Sequence, residues 1–258
     1  MKIGLTKGDS PLVLAQPHGG TEIPDAIFSR LSTTGQEKED TDWHITRLYE
    51  GLLEQATVIN TPIHRYVIDA NRDPSGQSLY PGQYTTGLCP TTTFDDRPLY
   101  IEGQAPSLDE ITDRQRQYHQ PYHDVVREQL ERVHQRHGYV VLYDCHSIRS
   151  VVPCLFDGKL QDLNIGTNDG NSCSQKITLA VENVCAASSQ YSSIFNGRFK
   201  GGWTTRHYGK PDAGYHAIQM ELSQCSYMQE THPWQYDTTK AQRLRALLKD
   251  ILENCLTT

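Results

Sequence analysis

Two apolar runs of this chain each lead into a histidine. Leu12 to Gln16 is followed by Pro17-His18, and far downstream Tyr139-Val140-Val141-Leu142-Tyr143-Asp144 is followed by Cys145-His146. Short apolar runs bounded by turn signals read as buried strands, and open α/β sheets collect ligands beyond the carboxyl ends of their strands. Two imidazoles on one rim supply most of a hydrolytic metal site, which needs about three His, Asp or Glu ligands and an open position for water. Three acids compete to complete it. Glu22 is nearest to His18 in sequence, while Asp40 and Asp42 stand at a predicted helix start, where a carboxylate can equally cap the backbone. His44, beside them, is either a further ligand or a surface ring.

Other groups suit the same chemistry. Glu221 lies in the apolar run Ala217-Ile218-Gln219-Met220-Glu221-Leu222, where a lone carboxylate is costly to bury. Beside an activated water it has a task, as general base and then as acid toward a leaving amine. Asn71-Arg72-Asp73-Pro74 follows another predicted strand, so the planar fork of Arg72 would emerge on the same rim, suited to a carboxylate or a developing oxyanion. Arg149 and Arg206 add cations on loops. Cys145 is excluded as a nucleophile, because alternation on a strand points it away from His146. His119, His123, His134 and His137 fall in a charged helical stretch without an H-E-x-x-H pattern and read as a solvated face.

The elements that must hold these groups alternate. A strand at Leu12–Gln16 precedes a helix at about 42–55, a strand at 56–60 and another at Arg65–Ala70. One long helix, kinked or split at Pro121, spans about 108–137, then comes the strand ending at His146. A helix at about 173–184, a strand at 215–222 and an amphipathic helix at about 238–256 complete the chain. That order predicts an α/β fold in which helices sandwich a mixed, mostly parallel sheet. No linker or repeat divides residues 1–258, so one domain is expected.

A net charge of −7 without a basic run argues against a nucleic-acid partner. The start lacks the apolar core of a signal peptide and no stretch approaches a membrane span, so a cytoplasmic protein is expected. Seven cysteines without a C-x-x-C pair suggest neither a disulfide framework nor a sulfur-rich zinc site. Several arginines in an acidic chain point to a small anionic substrate.

Taken together, the segments resemble the N-formylglutamate amidohydrolase (N-formylglutamate deformylase) family of histidine degradation. They are PHGGTEIP at 17–24, DTDWHITRLYE at 40–50, RYVIDANRDP at 65–74, LYPGQYTTGLCPTTTFDDRPLY at 79–100, LYDCHSIRS at 142–150, LFDGKLQDLNIGTNDG at 155–170, NGRFKGGWTTRHYGKP at 196–211 and QMELSQCSYMQE at 219–230. The resemblance implies a carboxypeptidase-like three-layer fold and hydrolysis of N-formyl-L-glutamate to glutamate and formate with a divalent metal, zinc by expectation. Carried over by residue, it makes His18 and His146 ligands and Glu221 the catalytic carboxylate. Arg72 becomes catalytic and substrate-binding, with Asn71, Arg149, Arg206 and the adjacent His207 in the substrate clamp. It ranks Asp42 first as acidic ligand, then Glu22, then Asp40. A deacylase of another N-acyl amino acid and a non-catalytic metal- or anion-binding protein are the competing readings, and the choice between monomer and homo-oligomer stays open.

Overall fold

The computed structural model describes residues 2–78, 82 and 85–256. Leu79, Tyr80, Pro81, Gln83 and Tyr84 of the 79–100 segment lie outside the described residues, as do Met1, Thr257 and Thr258. Seven strands form one sheet among the described residues: β1 (Gly4–Thr6), β2 (Leu12–Gln16), β3 (Thr57–Asn60), β4 (Val140–Ile148), β5 (Leu163–Gly166), β6 (Ser193–Phe195) and β7 (Tyr215–Ser223). Their order is β1-β3-β2-β4-β7-β5-β6. The central strands β3, β2, β4 and β7 are mutually parallel, while β1 on β3 and β5 on β7 are antiparallel. This is the mixed, mostly parallel sheet expected from the sequence.

Helices cover both faces. They are α1 (Asp25–Phe28), α2 (Thr33–Glu37), α3 (Ile45–Tyr49), α4 (Leu108–Arg114), α5 (Gln120–His137), α6 (Gln175–Ala187), α7 (Trp203–Tyr208) and α8 (Thr238–Asn254). Leu12, Leu14, Tyr143, Cys145 and Met220 pack with Leu48 of α3, Val181 of α6 and Leu248 of α8. The alternate residues Val13, Ala15, Leu142 and Ala217 pack with Tyr122, Val126 and Leu130 of α5. Each fully buried aliphatic side chain contributes about 1.5–3 kcal/mol, so these two layers are the main stabilising term. The same alternation sends Asp144 and His146 of β4, and Gln219 and Glu221 of β7, to the α5 side of the sheet. Ser107, Ser174 and Asp237 cap α4, α6 and α8 by accepting the N–H groups of Glu110, Ile177 and Lys240. No helix among the described residues is long and apolar enough to cross a membrane.

Several elements depart from expectation. The predicted strand at 65–70 is a set of turns, because side chains take the N–H groups that a ladder would use: Tyr66 N–H donates to His64 Nδ1 (3.0 Å) and Asn71 N–H to Asp69 Oδ1 (2.9 Å). The helix expected over 42–55 shrinks to Ile45–Tyr49, entered through His44 at φ 61° and left through Gly51 at φ 68°. The long helix expected at 108–137 runs unbroken through a π turn at Gln115–His119, just before Pro121. A proline ring crowds the carbonyl four residues back, and widening the turn relieves this. β4 also runs two residues beyond His146, which β7 pairs through to Ile148.

Candidate metal centre and active site

His18 follows β2 by two residues, and its position depends on backbone contact. The Asp42 N–H donates to the His18 carbonyl at 3.1 Å, tying the 40–44 segment to the end of β2. A Cβ at Gly20 would lie 2.4 Å from the Pro62 carbonyl, so only glycine lets the chain pass that close. His146 enters from β4, opposite Glu221 of β7 in register.

Three ligand atoms converge there. His146 Nδ1 lies 3.2 Å from His18 Nδ1 and 3.3 Å from Asp42 Oδ2, and His18 Nδ1 lies 3.8 Å from the same oxygen. All three residues are buried. Behind the rings stand two further carboxylates: His18 Nε2 is 2.7 Å from Asp69 Oδ1, and His146 Nε2 is 3.0 Å from Asp144 Oδ1. The Asp69 carboxylate keeps the His18 proton on Nε2 and turns its Nδ1 lone pair forward, the arrangement of metal-ligating imidazoles, and Asp144 is placed to do the same for His146. Asn71 Nδ2 also approaches His146 Nε2 at 3.0 Å, while Asn71 Oδ1 accepts the Thr204 N–H. Its amide and Asp144 thus compete for one ring nitrogen.

The electrostatics call for a cation. Asp42, Asp69, Asp144 and Glu221 are buried carboxyl groups around one buried guanidinium, that of Arg65, which lies 2.6 Å from Asp69 and 3.5 Å from Asp42. Burial pulls the His146 pKa down, but Asp144, Asp42 and Glu221 reverse this and hold it well above the ordinary imidazole value. Burial and Arg65 push His18 down against the pull of Asp69 and Asp42. Asp69 resists burial, and Arg72, His18 and Arg65 hold its carboxyl well below the usual range. Asp42 Oδ1 is buried without a hydrogen bond. With both rings neutral, two Nδ1 lone pairs and a carboxylate oxygen at these distances repel, so the cluster takes up positive charge, as a proton on His146 or as a metal ion. The donor set therefore fits a divalent ion.

Beside the cluster opens a cavity of about 310 Å³, lined by His18, His146, Glu221, Arg65, Asn71 and Arg72 among others. Burial, with Asp42 and Asp144 adding to it, pushes the Glu221 carboxyl up to about 8 against His146 and Arg65. The Gln219 amide donates to Glu221 Oε2 at 3.2 Å and is itself fixed by the Gly202 N–H at 2.7 Å. Arg72 is held by the Thr86 carbonyl and hydroxyl at 3.0 and 3.1 Å.

Other expected site residues lie elsewhere. Glu22 is exposed, because its backbone pairs with Pro62 and His64 and carries the side chain outward. Asp40 is buried but bonds Tyr66 Oη and the Phe94 N–H, and burial lifts its carboxyl to about 6. Arg149 turns to Asp95 at 2.8 Å, Arg206 Nε–H donates to the Gly201 carbonyl, and exposed His207 stacks on Trp203. None of these five lines the cavity. His44 donates to the Trp234 carbonyl. Cys145 is packed in the core on the far face, and burial pushes its thiol far above the usual range. His119 and His123 are not a solvated face: buried, they donate to the Arg72 and Ala70 carbonyls at 3.1 and 2.7 Å and brace the segment carrying Asn71 and Arg72. The sequence reading passed over Arg65, Asp69, Asp144 and Gln219, and over Arg198, which also lines the cavity. Asp144 and Gln219 were detectable, each two residues before a chosen group on a period-2 strand.

Known proteins share this arrangement of chain. The model of a family described as N-formylglutamate amidohydrolase matches residues 10–228. An N-formylglutamate deformylase of Pseudomonas aeruginosa is 45% identical over 255 residues, covering 98% of this chain and 96% of that protein. One from Pseudomonas putida is 43% identical over 251 residues, covering 97% and 94%. The crystal structure of an N-formylglutamate amidohydrolase from Ralstonia eutropha JMP134 has the same fold, with a TM-score of 0.80 at 24% identity over 98% of this chain and 95% of that one. With a match over most of its length and relatives above 40% identity, the chain belongs to the N-formylglutamate amidohydrolase family.

Proposed function

We propose that this chain hydrolyses the formamide bond of N-formyl-L-glutamate, releasing L-glutamate and formate. The observation that carries this reading is the convergence of His18, Asp42 and His146 beside a cavity that Glu221 and Arg72 also line. His18 Nδ1, His146 Nδ1 and Asp42 Oδ2 would hold a divalent ion, for which zinc suits the donor set. Such an ion, when bound, supplies Lewis acidity toward a carbonyl and lowers the pKa of water.

The chain's own groups do the rest. Glu221 takes a proton from the attacking water as its oxygen bonds to the formyl carbon. It returns that proton to the glutamate nitrogen as the C–N bond breaks, and the remaining water proton passes from the formic acid to the amine, leaving formate and glutamate with its amino group as ammonium. Gln219 keeps the carboxylate aimed while this happens. A Glu221 carboxyl lifted to about 8 favours the proton-donating half of the cycle, and positive charge held by His18, Asp42 and His146 would draw it back toward neutrality for the accepting half. Arg72 binds a substrate carboxylate through its fork, and Asn71 supplies an amide beside it. Asp69, Arg65, His119 and His123 position these groups without touching substrate.

The test is formate release from N-formyl-L-glutamate by metal-free protein and by protein resupplied with zinc, cobalt or manganese, alongside N-acetyl- and N-formimino-L-glutamate. Release that returns with metal and is fastest for the formyl compound is expected. No formate from the resupplied protein refutes the reading, and faster turnover of the acetyl compound moves it to a different deacylase.

A further inference from the structure

We infer that Arg198 recognises the side-chain carboxylate of the substrate and so selects an acidic amino acid; this rests on the proposed hydrolysis of N-formyl-L-glutamate. That substrate carries two carboxylates at different distances from the reacting carbon. With the formyl group at the His18–Asp42–His146 cluster, the carboxylate on Cα lies close by and the other a side chain away. A separate cation at each end would suit such a substrate.

Three arginines line the cavity: Arg65, Arg72 and Arg198. Arg65 is 5% exposed and committed to Asp69 and Asp42. Arg72 belongs to the near end, since its Nη2 stands 3.8 Å from Asp69, which itself bonds His18. Arg198 belongs to a different wall. Its Nε–H donates to the Leu155 carbonyl at 2.6 Å, and its guanidinium lies 5.5 Å from the centre of the Phe199 ring. Leu155 and Phe199 line the cavity with Phe94 and Ile148, and all four belong to one apolar cluster. An apolar wall bearing a guanidinium whose plane is set by its Nε–H matches a methylene stem that ends in a carboxylate. Arg206, the arginine chosen from the same segment by sequence, turns instead to the Gly201 carbonyl.

The experiment compares wild type, Arg198→Gln and Arg198→Met on N-formyl-L-glutamate and N-formyl-L-glutamine, which lacks only the distal charge. Losing a charged hydrogen bond predicts a fall in kcat/KM of about 10- to 100-fold on the first, mainly through KM, and under about 3-fold on the second. Calorimetry of L-glutamate and L-glutamine binding to metal-supplied protein reads the same preference without turnover. Wild type prefers L-glutamate and both variants lose that preference. Equal losses on the two substrates, or an unchanged preference, overturn the inference, as does a preference abolished by Arg72→Met but kept by Arg198→Gln. Absence of formate release by wild type refutes the proposed reaction instead, and calorimetry still decides the role of Arg198.

Discussion

Asp69→Asn is a sharp test of how the centre is built, because the two carboxylate oxygens have different duties. Oδ1 accepts from His18 Nε2 at 2.7 Å and from the Asn71 N–H at 2.9 Å, while Oδ2 accepts from Arg65 at 2.6 Å. An amide of the same shape must place its NH2 group against one set of donors. Facing Arg65, it leaves that buried guanidinium with Asp42 alone, at 3.5 Å. Breaking a buried pair costs about 3–5 kcal/mol, and the surviving Asp42 contact puts the expectation near 3. Facing His18, the NH2 group forces the ring proton to Nδ1, so the ring cannot ligate; a lost orienting partner costs about 10- to 100-fold in metal affinity. Urea denaturation of metal-free protein and zinc titration against a chelator read the two losses separately. The double variant with Arg65→Met should lose at least about 1 kcal/mol less than the sum of the singles, since the unpaired charge is gone. Wild-type stability together with wild-type zinc affinity in Asp69→Asn would refute this account of the centre.

Glu221→Gln should keep its metal but lose about 10²- to 10⁴-fold in kcat, the usual contribution of general acid–base catalysis; near-normal turnover with metal bound rules out the proposed role. Burial, helped by His119, pushes His123 down to about 3 from an ordinary 6.5. The unfolded chain therefore binds a proton that the folded one refuses between these values, so stability falls as pH drops from 6.5 toward 3, by up to about 4 kcal/mol. His123→Phe should flatten that part of the urea-midpoint profile, and an unchanged slope would count against it. Arg206→Gln should change kcat/KM by no more than about twofold, as a substitution outside the cavity; a large rise in KM would return Arg206 to the site.

Much of the fold was legible because it is written locally. Leu12–Gln16, Thr238–Asn254 and the long helix through Pro121 follow from apolar period and end signals. The short strands β1, β5 and β6 carry three or four residues each, too few for a period to show. The turns at 65–70 escaped because Arg65-Tyr66-Val67-Ile68 has strand composition, while His64 and Asp69 divert its backbone hydrogen bonds.

The sequence alone determined that Cys145 points away from His146, because strand alternation is a property of neighbours; that Glu221 shares the His146 face was decided by the pairing register of β4 and β7. The sequence could not choose between Glu22 and Asp42, nor say which arginines reach the cavity. Those choices depend on contacts between distant segments. The Asp42 N–H reaches the His18 carbonyl, while the backbone of Glu22 pairs with Pro62 and His64 and faces its carboxylate to water. Arg198 reaches the cavity wall beside the Leu155 carbonyl, more than forty residues earlier in the chain. A loop side chain points where long-range packing carries its backbone, and only the tertiary structure decides that.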